Sequence, residues 1–252
     1  MNTTEKAYSY VYKNVLKAIN PIKKKIIKTE CTVHKAINNH SLNILRNDGY
    51  EHAYNLLSNY INEINEGAVW ADQDLKSSNH FYNPYTNRGL YGNSNAKKEC
   101  ISYYTHALNE YFNGDKKEAF FYLGAACHLI QDLTVPHHAN IKLLDNHRSF
   151  ENWVIKMYEI HDTFKVYKGG IYENSLKFYI EFNSKKSLEN YKKYNHIKDE
   201  NIQFYNLSAT SLIMAQRTTA GVMYKFYYDL QKLQPIFTLK RRQKRFIRQY
   251  VS

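Results

Sequence analysis

The chain has 252 residues, 43% hydrophobic and 15% aromatic, which is enough for one sizeable core and too apolar for a disordered protein. Three cysteines, Cys31, Cys100 and Cys127, lack framework spacing and exclude a disulfide-stapled fold, and no run approaches the ~20 apolar residues that span a bilayer. The net charge of +12 sits largely in two blocks, Lys23, Lys24, Lys25 and Lys28, and then Lys240, Arg241, Arg242, Lys244, Arg245 and Arg248. Such blocks read either as attraction to a polyanion, an anionic membrane or nucleic acid, or as solvated tails. The first twenty residues lack the continuous apolar stretch of a signal peptide, so the chain as written is expected either in the cytoplasm or exported by a route this stretch does not encode.

Only 9 Gly and 4 Pro interrupt the chain, and that scarcity favours helices. Residues 5–19 place Tyr8, Val11, Val15 and Ala18 at helical spacing, and Pro21 ends that segment. The stretch 23–28 reads as a linker or pro-segment. Helices are expected over 31–45, stopped by Asn47-Asp48-Gly49, and over 50–66, where Tyr54, Leu57, Ile61 and Ile64 share a face and Gly67 gives the stop. Residues 72–95, rich in Asn, Ser, Gly and Asp, read as a long loop of the kind that carries function. Helices follow over 95–112 and 116–132, then a loop 133–147 with Pro136 and a helix over 148–160. Residues 165–185 carry too weak a pattern to assign beyond a turn at Gly169-Gly170. A long helix near 207–231 offers Leu212, Met214, Val222, Phe226 and Leu230 to the core. The expected domain plan is 1–30 as an N-terminal helix and linker, 31–235 as the catalytic body, and 236–252 as a basic and aromatic tail.

The histidines carry the chemistry. His128 and Asp132 are four apart in an expected helix and so lie one turn apart on one face, where two ligands can converge on one metal. Small and apolar neighbours surround them, and a buried His and Asp need a strong partner. His147 and Glu151 repeat the same spacing, and His138 lies between the two pairs. Five ligand-type residues in so short a span, twice at helical spacing, suit zinc by their nitrogen and oxygen donors. Asp72 and His80 flank the polar loop, and His34 lies on the first catalytic-body helix. His40, His52, His106 and His161 read as surface or structural residues, His137 as a neighbour supporting a ligand, and Cys127 as a small core residue.

The runs GAVWADQDLKSSNHFYNP, FYLGAACHLIQDLTVPHHAN and HRSFENWV, together with AQRTTAG at 215–221, resemble the bacterial zinc-dependent phospholipase C family, in the same order over residues 31–231. The resemblance implies an all-α, single compact multi-helix domain with a trinuclear-type zinc cleft. It implies that Asp72, His80, His128 and Asp132 bind a first zinc, that His138, His147 and Glu151 bind a second, and that His34 binds a third, bridged by Asp132. Asp72 would also be the catalytic base. Two to three zinc ions would lower the pKa of a bridging water from ~15.7 toward ~7, and the resulting hydroxide would cleave a phosphatidylcholine-like lipid into diacylglycerol and a phosphorylated headgroup. The implied partner is a phospholipid membrane surface, and the implied state a monomer.

The chain departs from the family pattern in two places. Family enzymes begin, after processing, with a Trp that ligates the third zinc, whereas here no Trp precedes Trp70. A new amino terminus cut in the basic stretch, replacement by Cys31 or Glu30, and a weak or absent third ion all remain open. The loop from Asp72 to His80 is also short, with Gln73 where an aromatic is common. Two alternatives stand beside the phospholipase: a zinc-dependent single-strand nuclease of related architecture, which the positive charge suits, and a membrane-associated relative with an impaired site. The aromatic residues interleaved in 236–252 are a candidate for surface attraction.

Overall fold

The computed structural model describes residues 31–73, 78–90, 94–141 and 146–251, with side chains to residue 238. The helix expected over 5–19, the basic stretch 23–28 and the side chains of 240–248 lie outside what is described. Among the described residues the fold is all-α, and the only strand-like pairing is an isolated bridge between Asn83 and Arg88.

Helix α1 (Thr32–Asn47) presents Ile37, Leu42, Ile44 and Leu45 to the core. The single helix expected over 50–66 is two, α2 (Glu51–Ser58) and α3 (Ile61–Ala71). The break falls at Asn59-Tyr60, both modest helix formers, and leaves the Tyr60 ring flat on Phe120 at 4.2 Å. Gly67 does not end the helix. It sits inside α3 because that face lies against backbone: a Cβ there would meet the Phe121 carbonyl oxygen at 1.8 Å.

Helix α4 (Ala96–Asn113) starts at Asn95, whose side chain accepts from the Lys98 amide, and stops at Gly114 with φ 105°. Helix α5 (Lys116–Asp132) starts at Asp115, which accepts from the Glu118 amide in the same way. Every residue of α5 from Leu123 to Asp132 is buried, so α5 is the central helix. It crosses α3 at backbone contact. Gly124 on α5 faces Ile64 as Gly67 on α3 faces Phe121, and a Cβ on Gly124 would lie 1.9 Å from the Ile64 carbonyl oxygen. His128 is one turn on from Gly124, and Asp72 directly follows α3, so this crossing sets the distance between them.

The expected loop 133–147 contains a short helix, α6 (Pro136–Asn140), with Pro136 in its first turn, where the missing amide costs nothing. Helix α7 (His147–Met157) follows, then a 3₁₀ turn (Asp162–Phe164). The unassigned stretch holds the start of α8 (Leu176–Tyr194), capped by Ser175. Helix α8 packs on α6, and its Asn183 amide donates to the Ile130 carbonyl at 2.9 Å. Helix α9 (Glu200–Val251) is longer than expected at both ends and carries Pro235 inside it, so the boundary drawn at 235 falls within continuous helix. Leu212, Met214, Val222, Phe226 and Leu230 are all buried, as the spacing predicts.

Two apolar clusters support the body. The larger joins α1 to α5 with α8 and α9, and the smaller packs Phe150 and Val154 of α7, with Tyr158 just after it, against Ile37, Phe164, Phe204 and Leu207. Burying a Phe such as Phe150 contributes on the order of 2–3 kcal/mol, so α7 is anchored against α1 and α9. The AQRTTAG segment holds the irregular stretch after the 3₁₀ turn. The Gln216 amide donates to Phe164 O at 2.6 Å, its oxygen accepts from the Val166 amide at 3.0 Å, and Arg217 O accepts from Ile171. Among the described residues no helix is long and apolar enough to cross a membrane.

Candidate metal centre

His34, in the first turn of α1, is oriented by a polar chain. The Asn38 amide donates to Asn65 at 3.0 Å, and the Gln131 amide donates to Asn38 Oδ1 at 2.8 Å. Gln131 Oε1 therefore faces His34 Nδ1 at 2.7 Å and must accept from it. That fixes the tautomer, leaving Nε2 as a lone pair 3.5 Å from Asp132 Oδ1. His80 is set in the same manner: its Nε2 donates to the Ala71 carbonyl at 3.0 Å, and its Nδ1 lies 2.7 Å from Asp132 Oδ2.

His128 and Asp132, on the buried face of α5, stand 3.2 Å apart through Nε2 and Oδ2. His128 Nε2 is also 3.3 Å from His80 Nδ1 and 4.0 Å from Asp72 Oδ1. Asp72, just past α3, accepts the Cys31 thiol at 3.1 Å. On the other side, His138 from α6 and His147 at the start of α7 bring their Nε2 atoms to 3.1 Å, and Glu151 Oε1 is 3.0 Å from His147 and 3.9 Å from His138. His138 Nδ1 is 4.0 Å from Asp132 Oδ2, so the two halves adjoin.

The structure thus brings together all eight residues singled out from the sequence. They form three groups whose donor atoms lie within 4.8 Å of one another: His34, His128 and Asp132; Asp72, His80 and His128; His138, His147 and Glu151. Two donors of a tetrahedral zinc at ~2.0–2.1 Å are roughly 3.3 Å apart. The separations of 3.0 to 3.5 Å between most of these pairs match that span.

Electrostatics point the same way. Burial lowers the pKa of His34 and of His80, which favours neutral rings with a lone pair to give. Burial also works against charge on His128 and His138, but the Asp132 carboxylate outweighs it and raises both. Asp132 is driven well below the usual carboxylate range: burial opposes this, and His128 and His138 overcome it. Glu151 is lowered likewise, burial being outweighed by His138 and His147. Neutral ring nitrogens and carboxylates that converge on shared points are costly unless protons or a cation lie among them, and the nitrogen and oxygen donor set suits zinc.

The remaining histidines divide plainly. The His137 ring stacks on His147 at 5.1 Å and His106 sits on the surface beside Glu110, while His40 packs near Tyr158 and Tyr167. Cys127 is a core residue whose thiol burial pushes up to about 12. Gln131 and Asn38 are the orienting residues that sequence reasoning passed over. The available signal was a polar residue inside the otherwise apolar run around His128.

Comparison with known proteins agrees with this geometry. The family model described as zinc dependent phospholipase C matches residues 33–208. A phospholipase C of Clostridium novyi is 24% identical over 208 residues, 71% of this chain and 52% of that protein. One from Bacillus cereus is 31% identical over 131 residues, 47% of this chain and 45% of that protein. The chain thus spans about half the length of these relatives. The solved alpha toxin from Clostridium absonum shares the fold with a TM-score of 0.71 at 20% identity, covering 81% of this chain and 65% of the toxin. With the family model spanning well over half of its residues and the ligand-type groups assembled in one cluster, this chain belongs to the zinc-dependent phospholipase C family.

Proposed function

We propose that the chain is a zinc-dependent phosphodiester hydrolase acting as a phospholipase C on phosphatidylcholine-like lipids at a membrane surface, with two to three zinc ions held by His34, Asp72, His80, His128, Asp132, His138, His147 and Glu151. The observation that carries this is the convergence of three donor groups, two of which share His128 and the third of which adjoins them through Asp132. Zinc held there would supply Lewis acidity to the phosphoryl oxygens and lower the pKa of a water from ~15.7 toward ~7.

The chain's own residues divide the remaining work. Asp132 and His128, with side chains 7% and 0% exposed, form the closed end, where the anion is kept ionised. Asp72 is 30% exposed and Glu151 49%, so substrate and water approach from their side. Asp72 would take the proton of the attacking water. The bulk of the ring nitrogens and the buried Phe81 beside His138 exclude other water from the closed end.

The test measures metal content of the full-length chain together with rates on phosphatidylcholine vesicles and on single-stranded DNA, for the wild type and for Asp72→Asn. Bound zinc with lipid cleavage, reduced roughly 10²–10⁴-fold by the substitution, is the expected result. Cleavage of DNA alone would assign the centre to a nuclease, and a metal-free inactive chain would mark an impaired relative.

A further inference from the structure

We infer that Cys31 is a protein ligand of the ion held by His34 and Asp132, so that this centre contains a sulfur donor. The inference rests on the zinc reading above and adds a residue to it.

Donor supply motivates it. Structural zinc takes four protein ligands, and catalytic zinc three plus an open position. Asp72, His80, His128 and Asp132 converge within one pocket, and His138, His147 and Glu151 make a second set of three. The group containing His34 draws its other two members, His128 and Asp132, from residues that also face the first pocket. Among the described residues, His34 is the only grouped donor that serves that ion alone. A further side chain beside His34 at the start of α1 would give that ion a second donor of its own.

Cys31 occupies that place. It is the residue immediately before α1, three positions ahead of His34, and so roughly one helical turn from it. Its Sγ is 3.1 Å from Asp72 Oδ2, so the sulfur faces a carboxylate of the cluster. Its backbone is left-handed, φ 45° and ψ 41°, a conformation unusual for a residue with a side chain, and its carbonyl is held by the Lys35 amide at 3.1 Å. The other cysteines are spent elsewhere: Cys100 and Cys127 are fully buried in the core, and Cys100 Sγ contacts the Ala126 carbonyl at 3.6 Å. Ligation breaks the Cys31 S–H bond and forms a sulfur–metal bond, the proton passing to solvent, and a dication makes that loss favourable. Thiolate is a good zinc ligand and shifts the site toward zinc, cobalt and cadmium over harder ions.

The experiment loads the metal-stripped full-length chain with Co²⁺ and follows its absorption, for the wild type, Cys31→Ser and Cys31→Ala, with far-ultraviolet circular dichroism to check that each variant keeps its helices. The wild type is expected to show visible cobalt bands and a near-ultraviolet thiolate-to-cobalt band. Both variants are expected to keep the visible bands, lose the thiolate band, and bind their weakest ion roughly 10–100-fold less tightly. Visible bands without a thiolate band in the wild type would overturn this inference alone and leave Cys31 as a hydrogen-bond donor to Asp72. No cobalt uptake at all would overturn the zinc reading and this inference together.

Discussion

The α3–α5 crossing supports a prediction that links packing to chemistry. Replacing Gly124 with Ala puts a Cβ 1.9 Å from the Ile64 carbonyl oxygen and 2.6 Å from its carbon. Both are backbone atoms, which cannot turn aside as a side chain end can. Relieving the contact requires the helices to part by about 1 Å or more, in an interior packed as densely as an organic crystal. The gain in helix propensity, about 1 kcal/mol, is set against an overpacking cost of about 1–3 kcal/mol or more, because the lost contact extends along the whole crossing. With the cost at the upper end because the contact is with backbone, stability should fall by about 2 kcal/mol or more net, and Tm by several degrees. The centre should respond more sharply. His128 is one turn beyond Gly124, while the Ala71 carbonyl that orients His80 ends α3 and Asp72 directly follows it, and metal–ligand distances tolerate only about 0.2 Å. Gly124→Ala should therefore lose zinc from the Asp72, His80 and His128 group while keeping that of His138, His147 and Glu151. Thermal unfolding and zinc content are the assays, with the exposed Asn62→Ala on α3 as control. An unchanged Tm and full zinc content in Gly124→Ala would refute the reasoning.

Two further predictions test the supports of the site and of the fold. Gln131→Leu removes the acceptor that fixes the His34 tautomer and strands Asn38 Oδ1, so zinc affinity should fall roughly 10–100-fold and stability by about 1–3 kcal/mol; competition against a chromophoric chelator measures the first, and an unaltered affinity would remove Gln131 from the orienting role. Asp48 accepts from the Gly169 and Gly170 amides at 2.9 and 2.8 Å and from Tyr172 at 2.6 Å, and although burial opposes it, these bonds hold its carboxyl below its ordinary value. Its contribution is therefore present above the unfolded value of ~3.9 and is lost as pH falls through the lower folded one. Asp48→Ala should cost about 2–3 kcal/mol at neutral pH, with the gap from wild type closing in denaturant titrations below pH ~4; a gap that persisted at low pH would show that the charge is not what matters.

The elements the sequence reading missed share a cause. The start of α8 was unreadable because its buried face carries Asn183, Ser184 and Ser187, which satisfy themselves on helix carbonyls and on Ile130 and so mask the apolar period. Gly67 was misread as a stop because a glycine that ends a helix and one that admits a neighbouring backbone look alike in one dimension. By contrast α5 was legible to the residue, since Asn113-Gly114-Asp115 punctuates it and its hydrophobic run is long.

What the sequence determined by itself was local. Helical hydrogen bonding repeats every few residues, so the spacing of His128 with Asp132 and of His147 with Glu151 is enough to put each pair on one face. Whether those pairs share a centre depends on contacts between distant parts of the chain. The two glycines that let α3 and α5 touch, the packing of α6 on α8, and the Asn65–Asn38–Gln131 chain that turns His34 inward set those contacts. The placement of Cys31 against Asp72, 41 residues away, is of the same kind. Side-chain type and period are written in one dimension, but which lone pairs meet is decided only when helices pack, because backbone approach and buried hydrogen bonds have no signature at short range.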